Sequence, residues 1–411
     1  MVSLQKICAA LSECYPPQCA ESWDNPGLLL GRNRAEIRRV VVALELTPEV
    51  VEEAIETRAE LIVTHHPFIF KPMSSLTDSS PDGRMMLDLA AAGIALYAAH
   101  TNLDSAPAAI GEKLACDLGL MDVRALLSHE PFSSYKIVVF VPHTAVDAVA
   151  KAMHEAGAGC VGHYRDVSFR GTGTGHFTGD DTTHPAIGSP NIAETVAETR
   201  LEMVVSSRDL NRTMNALRAA HPYEEPAFDV FKLENDVAGI ADLYGFGTIG
   251  RLPSPIHLCD LLNKIKEIWE IQALRVADLP LDKVIEKVAI LNGSGSKYAK
   301  KCAQLGADAY ITGDCGHHDF DLARRYGLAL IDAGHYDTEK FIPEILRSTI
   351  NRLFANDVEV SIAKSMKNPM IFYPPLSMNG EGGIDGVISN APILCVSHSR
   401  RLGLGAEGAH L

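Results

Sequence analysis

The sequence predicts an α/β protein in which two similar α/β halves, together forming one domain, are interrupted by a smaller α+β insert. Three observations predict it. Residues 40–99 alternate apolar strand-like runs with helical stretches in the order strand, helix, strand, helix, strand, the pattern of a parallel sheet. The alternation returns over residues 288–363, and on both flanks the strands end in polar motifs. Between the flanks, over residues 132–233, the order becomes strand, helix, strands, strand, helix, strand, which fits a split βαβ, ferredoxin-like module. The resulting division is 1–131, first half of the α/β domain; 132–235, insert; 236–373, second half; and 374–411, a tail. A chain of 411 residues is too long for one ordinary core in any case. The likeness of the halves rests on element order, because residue identity between them is low.

Taken in order, residues 2–14 read as an amphipathic helix, and Trp23-Asp24-Asn25-Pro26-Gly27 as a turn-rich loop. Residues 40–44 form a buried strand. Thr47-Pro48-Glu49 starts a helix, with Thr as N-cap, Pro at the first helical position and Glu favoured by the dipole. Residues 61–63 are apolar without alternation, as a strand buried on both faces requires, and stop abruptly at Thr64-His65-His66-Pro67. A helix over 82–92 and a strand over 94–99 follow, the latter ending in His100-Thr101-Asn102-Leu103-Asp104. In the insert, strands are expected at 136–141, 164–177, 200–205 and 227–233, helices at 144–156 and 208–220, and a long mobile loop at 171–188. Beyond it, residues 255–269 read as a helix. Strands at 288–291, 309–312 and 328–332 run into Asn292-Gly293-Ser294-Gly295-Ser296-Lys297, Gly313-Asp314 and Ala333-Gly334-His335, and a last strand covers 358–363. The glycine- and serine-rich tail from residue 374 is expected to be disordered.

Composition narrows the function. With 46% apolar and 22% charged residues the chain is a soluble globular protein, and a net charge of −15 argues against a nucleic-acid-binding surface. It does not exclude a nucleotide substrate, since a metal site overrides the global field locally. Nine scattered cysteines without a CxxC pair, and no basic-then-apolar leader, make the cytoplasm the default location. The apolar run 87–99 is too short to span a bilayer and carries Asp88.

In open parallel sheets the site lies beyond the carboxyl ends of the strands, where His65, His66, His100 and Asp104 all fall. His335 and Glu339, four apart at a helix start, share a face. His65, His66, Asp104, His335 and Glu339 make five candidate ligands, a number that suits two bridged divalent ions better than one tetrahedral ion. Mixed imidazole and carboxylate ligands suit Zn, Fe or Mn alike. Such a pair of ions generates hydroxide near neutral pH and polarises a carbonyl or phosphoryl oxygen. The Gly293–Lys297 turn, opening a helix, is a candidate anion cradle of backbone N–H groups, although its spacing is not that of a Walker motif.

The combination WDNPGLLLG, LIVTHHPFIF, AHTNLD, TGDCGHHD and DAGHYDTE resembles the dinuclear metal-centre proteins known as GTP cyclohydrolase I type 2 homologues or Ngg-interacting-factor-like proteins. The resemblance covers residues 1–373 in the right order. It implies metal ligands at His65, His66, Asp104, His335 and Glu339, with Asp104 or Glu339 bridging, and a hexameric ring whose metal sites face the interior. The stretches HYRDVSF and HPYEEPAFDVF resemble the longer members, whose insert is similar to PII and CutA folds. Two departures stand out: His317 adds an imidazole before the His318-Asp319 pair, and residues 374–411 match no family feature.

Two functions follow. One is a metal-dependent hydrolase acting on a nucleotide or related heterocycle, GTP being the candidate that the family label offers. His100 or His318 would move protons, and Asn25, Gly293, Ser294 and Gly295 would hold the substrate. The other is a non-catalytic regulatory or metal-handling protein assembled as a ring.

Overall fold

The computed structural model describes residues 1–107, 109–128, 132–162, 164–234, 244–355 and 357–372. The expected disordered tail at 374–411 lies outside the described residues. The chain begins with β1 (Val2–Ser3), α1 (Leu4–Cys14), β2 (Gly27–Leu30), β3 (Glu36–Ile37) and β4 (Arg39–Ala43). It continues through α2 (Pro48–Glu56), β5 (Leu61–Thr64), α3 (Pro81–Ala92), β6 (Ala95–Ala98), the single turn α4 (Thr101–Asp104), α5 (Ile110–Asp117) and β7 (Met121–Ser128). The expected cap of α2 is present: the Thr47 side chain accepts the Val50 N–H, with Pro48 at the first position.

Next come β8 (Ser134–Pro142), α6 (Val146–Glu155), β9 (Phe169–Thr178), β10 (Ala193–Ser206), α7 (Leu210–Ala220) and β11 (Phe228–Lys232). These four strands form a separate antiparallel sheet in the order β11-β8-β10-β9, with their own core around Ile137, Val139, Val149, Met153, Leu201 and Leu217. The last stretch holds β12 (Gly245–His257), α8 (Leu258–Ile268), β13 (Arg275–Val276), β14 (Val284–Ser294), α9 (Ala299–Gln304), β15 (Ala309–Gly313), α10 (His317–Arg325), β16 (Ala329–Asp332), α11 (His335–Glu339), α12 (Ile342–Phe354) and β17 (Glu359–Ile362).

Beside the short β1-β3 pair, the α/β flanks build two large sheets, where one sheet made of both halves was expected. The first has the order β17-β4-β5-β6-β2, with β2 antiparallel and the others parallel. The second has the order β13-β16-β15-β14-β12-β7, with a parallel core of β14, β15 and β16 and antiparallel strands on either side. Because side chains alternate faces along a strand, each parallel core feeds two apolar layers. Val40, Val42, Leu61 and Val63 point into the central core, which they share with Val288, Ile290, Ile311 and Ile331 of the other sheet and with α1, α5, α8 and α12. Val41, Ala43 and Ile62 pack outward against α2 and α3, and Ala289, Tyr310 and Leu330 against α9 and α10. The layers therefore run helix, sheet, helix, sheet, helix.

Several elements differ from the sequence-based expectation. Residues 255–257, expected to open a helix, end β12, and β7 and β12 were not anticipated as strands at all. Pro253 and Pro255 lie where the pairing of β12 with β14 shifts between Arg251 and Ile256, a place where a residue without an N–H costs no ladder bond. Much of the expected loop at 171–188 is strand: β9 pairs with β10 from Phe169 to Thr178 despite its glycines, because the partner strand supplies what intrinsic propensity lacks.

Ile62 is fully buried in the strand that leads to His65. Ile62→Ala is expected to cost about 2–5 kcal/mol of stability, read as a lower denaturation midpoint, while the folded variant keeps its metal content.

Candidate metal centre

The carboxyl end of β5 is held before any ligand is considered. The His65 N–H reaches the carbonyls of Ala43 and Leu44 at 3.3 and 3.2 Å, and the His66 N–H donates to Leu44 at 3.0 Å. The two imidazoles thus leave the sheet in fixed directions. Fully buried His65 turns Nδ1 to the Ala99 carbonyl at 2.8 Å. Its Nε2 is buried and has no hydrogen-bond partner; Asp104 Oδ1 and Glu339 Oε1 lie 3.7 Å away, beyond hydrogen-bond range.

The other imidazoles repeat the arrangement, one nitrogen on an oxygen and the other toward a common point. His335 meets Asp314 through Nδ1 at 2.7 Å and Glu339 through Nε2 at 3.0 Å. His66 meets Glu45 through Nδ1 at 3.3 Å and Glu339 through Nε2 at 3.0 Å. His100 Nδ1 bonds Asp24 Oδ1 at 2.8 Å, and Asp24 also takes the Thr101 N–H and hydroxyl. Oxygen partners of this kind fix the tautomer and orientation of metal-binding histidines. Two triads result: His65, His66 and His100, and His66, His335 and Glu339, each with one donor atom per residue within 4.8 Å of the others. These triads can coordinate metal ions, and they share His66.

Asn292 joins the carboxylates, its Nδ2 donating to Asp104 Oδ1 at 2.9 Å and to Glu339 Oε1 at 3.2 Å. Gly293 follows in the left-handed region, φ +60°, and a Cβ there would sit 2.3 Å from Glu339 Oε1. Only glycine gives both that backbone and that clearance. Asp314 also has positive φ, 55°, a conformation Asp tolerates better than most residues, and it aims its carboxylate at His335.

Electrostatics argue for a cation at this point. Glu339, only 3% exposed, is held well below the usual carboxylate range: burial opposes its charge, but bonds from the surrounding imidazoles outweigh it. Burial pushes the Asp104 carboxyl up, with the Glu339 charge adding to it. Burial opposes the His66 and His335 imidazolium forms as well. Glu339 and Glu45 nonetheless raise His66 to about 10, and Glu339 and Asp314 raise His335 to about 9. A divalent cation would answer the same negative charge that raises His66 and His335, and the buried His65 Nε2, without a hydrogen-bond partner, is a donor suited to it. The residues fit a metal pair.

The cluster forms the floor of a cavity of about 590 Å³, also lined by Trp23, Phe70, Ser294 and Tyr336. All five expected metal ligands converge in the cluster beneath it, and so does His100. His318 does not: it is exposed at the start of α10 and its ring contact is with His317. Asn25 is engaged elsewhere, its amide donating to the Ile69 carbonyl at 2.6 Å. The anion cradle is not free either. The N–H groups of Gly293 and Gly295 donate to Thr338 Oγ1 at 2.9 Å and Thr312 Oγ1 at 3.0 Å, and β14 runs through to Ser294 instead of opening a helix at the glycines. Sequence reasoning missed Asp24, Glu45, Asn292 and Asp314 as partners of the cluster. Each lies beside a strand end or in a motif already noted, a position that could have found them.

Gly293→Ala is expected to lower metal affinity at least tenfold, measured by elemental analysis after dialysis against a competing chelator. Binding at neutral pH should release protons from His66 and His335, so calorimetric heats will scale with buffer ionisation enthalpy, and affinity will rise with pH. For metal-stripped protein the sign is opposite. Both histidines bind protons more tightly folded than unfolded, so their stabilisation is complete below about pH 6.5 and is lost as pH rises through about 9 and 10. Thermal melting across that range checks it.

The Duf34/NIF3 (NGG1p interacting factor 3) family model matches residues 2–369. A "GTP cyclohydrolase 1 type 2 homolog" of Halalkalibacterium halodurans is 36% identical over 371 residues, covering 90% of this chain and 98% of that protein. One of Mycobacterium tuberculosis is 37% identical over 343 residues, covering 82% and 88%. The crystal structure of a Bacillus cereus protein related to NIF3 superposes with a TM-score of 0.80 at 32% identity, covering 90% of this chain and 99% of that one. Matched along nearly all of the described α/β framework and the insert, the chain belongs to the Duf34/NIF3 family.

Proposed function

We propose that His65, His66, Asp104, His335 and Glu339 hold two divalent ions, Zn, Fe or Mn, and that the protein is a hydrolase acting on a nucleotide or related heterocycle. One observation carries the reading: the donor cluster is not sealed by protein but floors a cavity of about 590 Å³. Structural zinc is usually closed by four protein ligands, whereas catalytic sites keep a position open. When bound, such ions polarise a substrate oxygen and lower the pKa of water. Glu339 supports the bridging role best, since one carboxylate faces His65, His66 and His335. His100, whose Nδ1 bonds Asp24, would accept and return a proton at its second ring nitrogen. Burial opposes ionisation of Asp24, but its bonds from His100 and Thr101 hold it below the usual range, so it can orient the imidazole as an anion. Of the residues nominated for substrate, Ser294 lines the cavity. GTP is the substrate to test first, on the relatives' name.

The same proposal divides the chain at 1–131, 132–235 and 236–373, the flanks being similar halves of one metal-binding domain. It reads the insert as ferredoxin-like, of PII/CutA type. The order β11-β8-β10-β9 with two crossing helices supports that reading. Assembly as a homohexameric ring rests on the family resemblance. Eight described cysteines carrying free thiols favour the cytoplasm. Among the described residues no helix is long and apolar enough to cross a membrane.

Metal-loaded protein incubated with GTP is expected to release formate, at a rate that chelation or His66→Ala lowers by at least 10³-fold. Absence of turnover with GTP and other nucleotides under full metal loading would instead favour a non-catalytic, metal-handling role.

A further inference from the structure

Beside the cluster two large aromatic side chains stay in water. Trp23 is 51% exposed and Phe70 44%. They stack on one another, ring centroids 5.6 Å apart and planes 25° from parallel. Each also meets the His100 ring edge-on at 6.0 Å. The stack therefore stands against an imidazole that itself packs on His65 and His66. It lines the same cavity as His66, Asp104 and Glu339.

The two rings come from different loops, and the Asn25 amide bonded to the Ile69 carbonyl ties those loops together. That bond and the stack hold the two loops against each other. Leaving about half of each residue in water forgoes burial that a monomer could have used, and a stacked aromatic pair lining a cavity has the form of a stacking surface. The cavity, about 590 Å³, is in the range that encloses a nucleotide-sized ligand.

We propose that Trp23 and Phe70 form the stacking face for a planar heteroaromatic ring, which they hold against the metal cluster. The assignment rests on the hydrolase reading and names its substrate class: a ligand recognised through the flat face of a base, not through its phosphate or sugar.

The chain has two tryptophans, and Trp269 is fully buried, so a ligand-dependent change in fluorescence reports Trp23. Guanosine 5′-monophosphate is expected to quench metal-loaded protein saturably, whereas ribose 5-phosphate, with the same anion and no ring, neither quenches nor competes. By equilibrium dialysis, Trp23→Leu and Phe70→Ala should each weaken binding of the nucleotide roughly 5- to 150-fold, the worth of one base–aromatic stack, with metal content and melting temperature unchanged. Unchanged affinity in both variants, equal binding of ribose 5-phosphate, loss of metal from the variants, or no saturable binding of guanosine, adenosine or uridine monophosphate would each overturn the proposal. Nucleotide bound on these rings but never hydrolysed would sink the proposed reaction and leave the stack standing. Hydrolysis with unchanged KM in both variants would do the reverse.

Discussion

One buried carboxylate organises this protein. Glu339 lies almost wholly out of water, and an anion there is tolerable only if cations or strong donors surround it. Its donors come from the two ends of the fold: His66 on the first sheet, His335 one helical turn back on α11, and Asn292 at the end of β14. Breaking the first sheet away from the second would strand that charge, so the condition that makes a metal site also couples the two sheets. The central apolar core does the larger share of the joining, with residues of both sheets in one cluster. The carboxylate adds direction, because hydrogen bonds and metal ligation demand particular distances where apolar contact does not.

Around this point the fold repeats one device. Each imidazole spends one nitrogen on an oxygen, the Ala99 carbonyl or the carboxylate of Glu45, Asp24 or Asp314, and turns the other to the centre. Ala99, Glu45 and Asp314 lie just past the ends of β6, β4 and β15, and Asp24 in the loop that leads into β2, so strands anchor all four. The positive φ of Asp314 and Gly293 shows the backbone bent to serve the site rather than local propensity.

Much of this was legible beforehand. The two parallel cores announced themselves because a strand buried on both faces has to be continuously apolar, as at 61–63 and 309–311. His65, His66, Asp104, His335 and Glu339 stood out because polar ligands that interrupt such runs have few other reasons to be there, and the structure gathers all five. The failures share a cause. His318 and Asn25 were chosen by residue type near a motif. Which way a helix start faces, or which carbonyl an amide finds, depends on packing that neighbours in sequence do not encode. The glycine turn misled in a different way: its glycines serve clearance from Glu339 and hydrogen bonds to Thr338 and Thr312, needs that exist only once β14, β15 and α11 are side by side.

By itself the sequence determined the α/β class, the strand ends that bear ligands and the chemical type of those ligands, because periodicity and side-chain chemistry are local properties of the chain. Tertiary structure alone decided that there are two large sheets rather than one, that β7 and β12 extend the second, and that, of the two candidate proton carriers, His100 lies in the cluster while His318 turns to water. It also decided that Trp23 stacks on Phe70. These are matters of pairing and orientation between segments tens to hundreds of residues apart, and they are fixed by the shared core and by the directional demands of a buried charge.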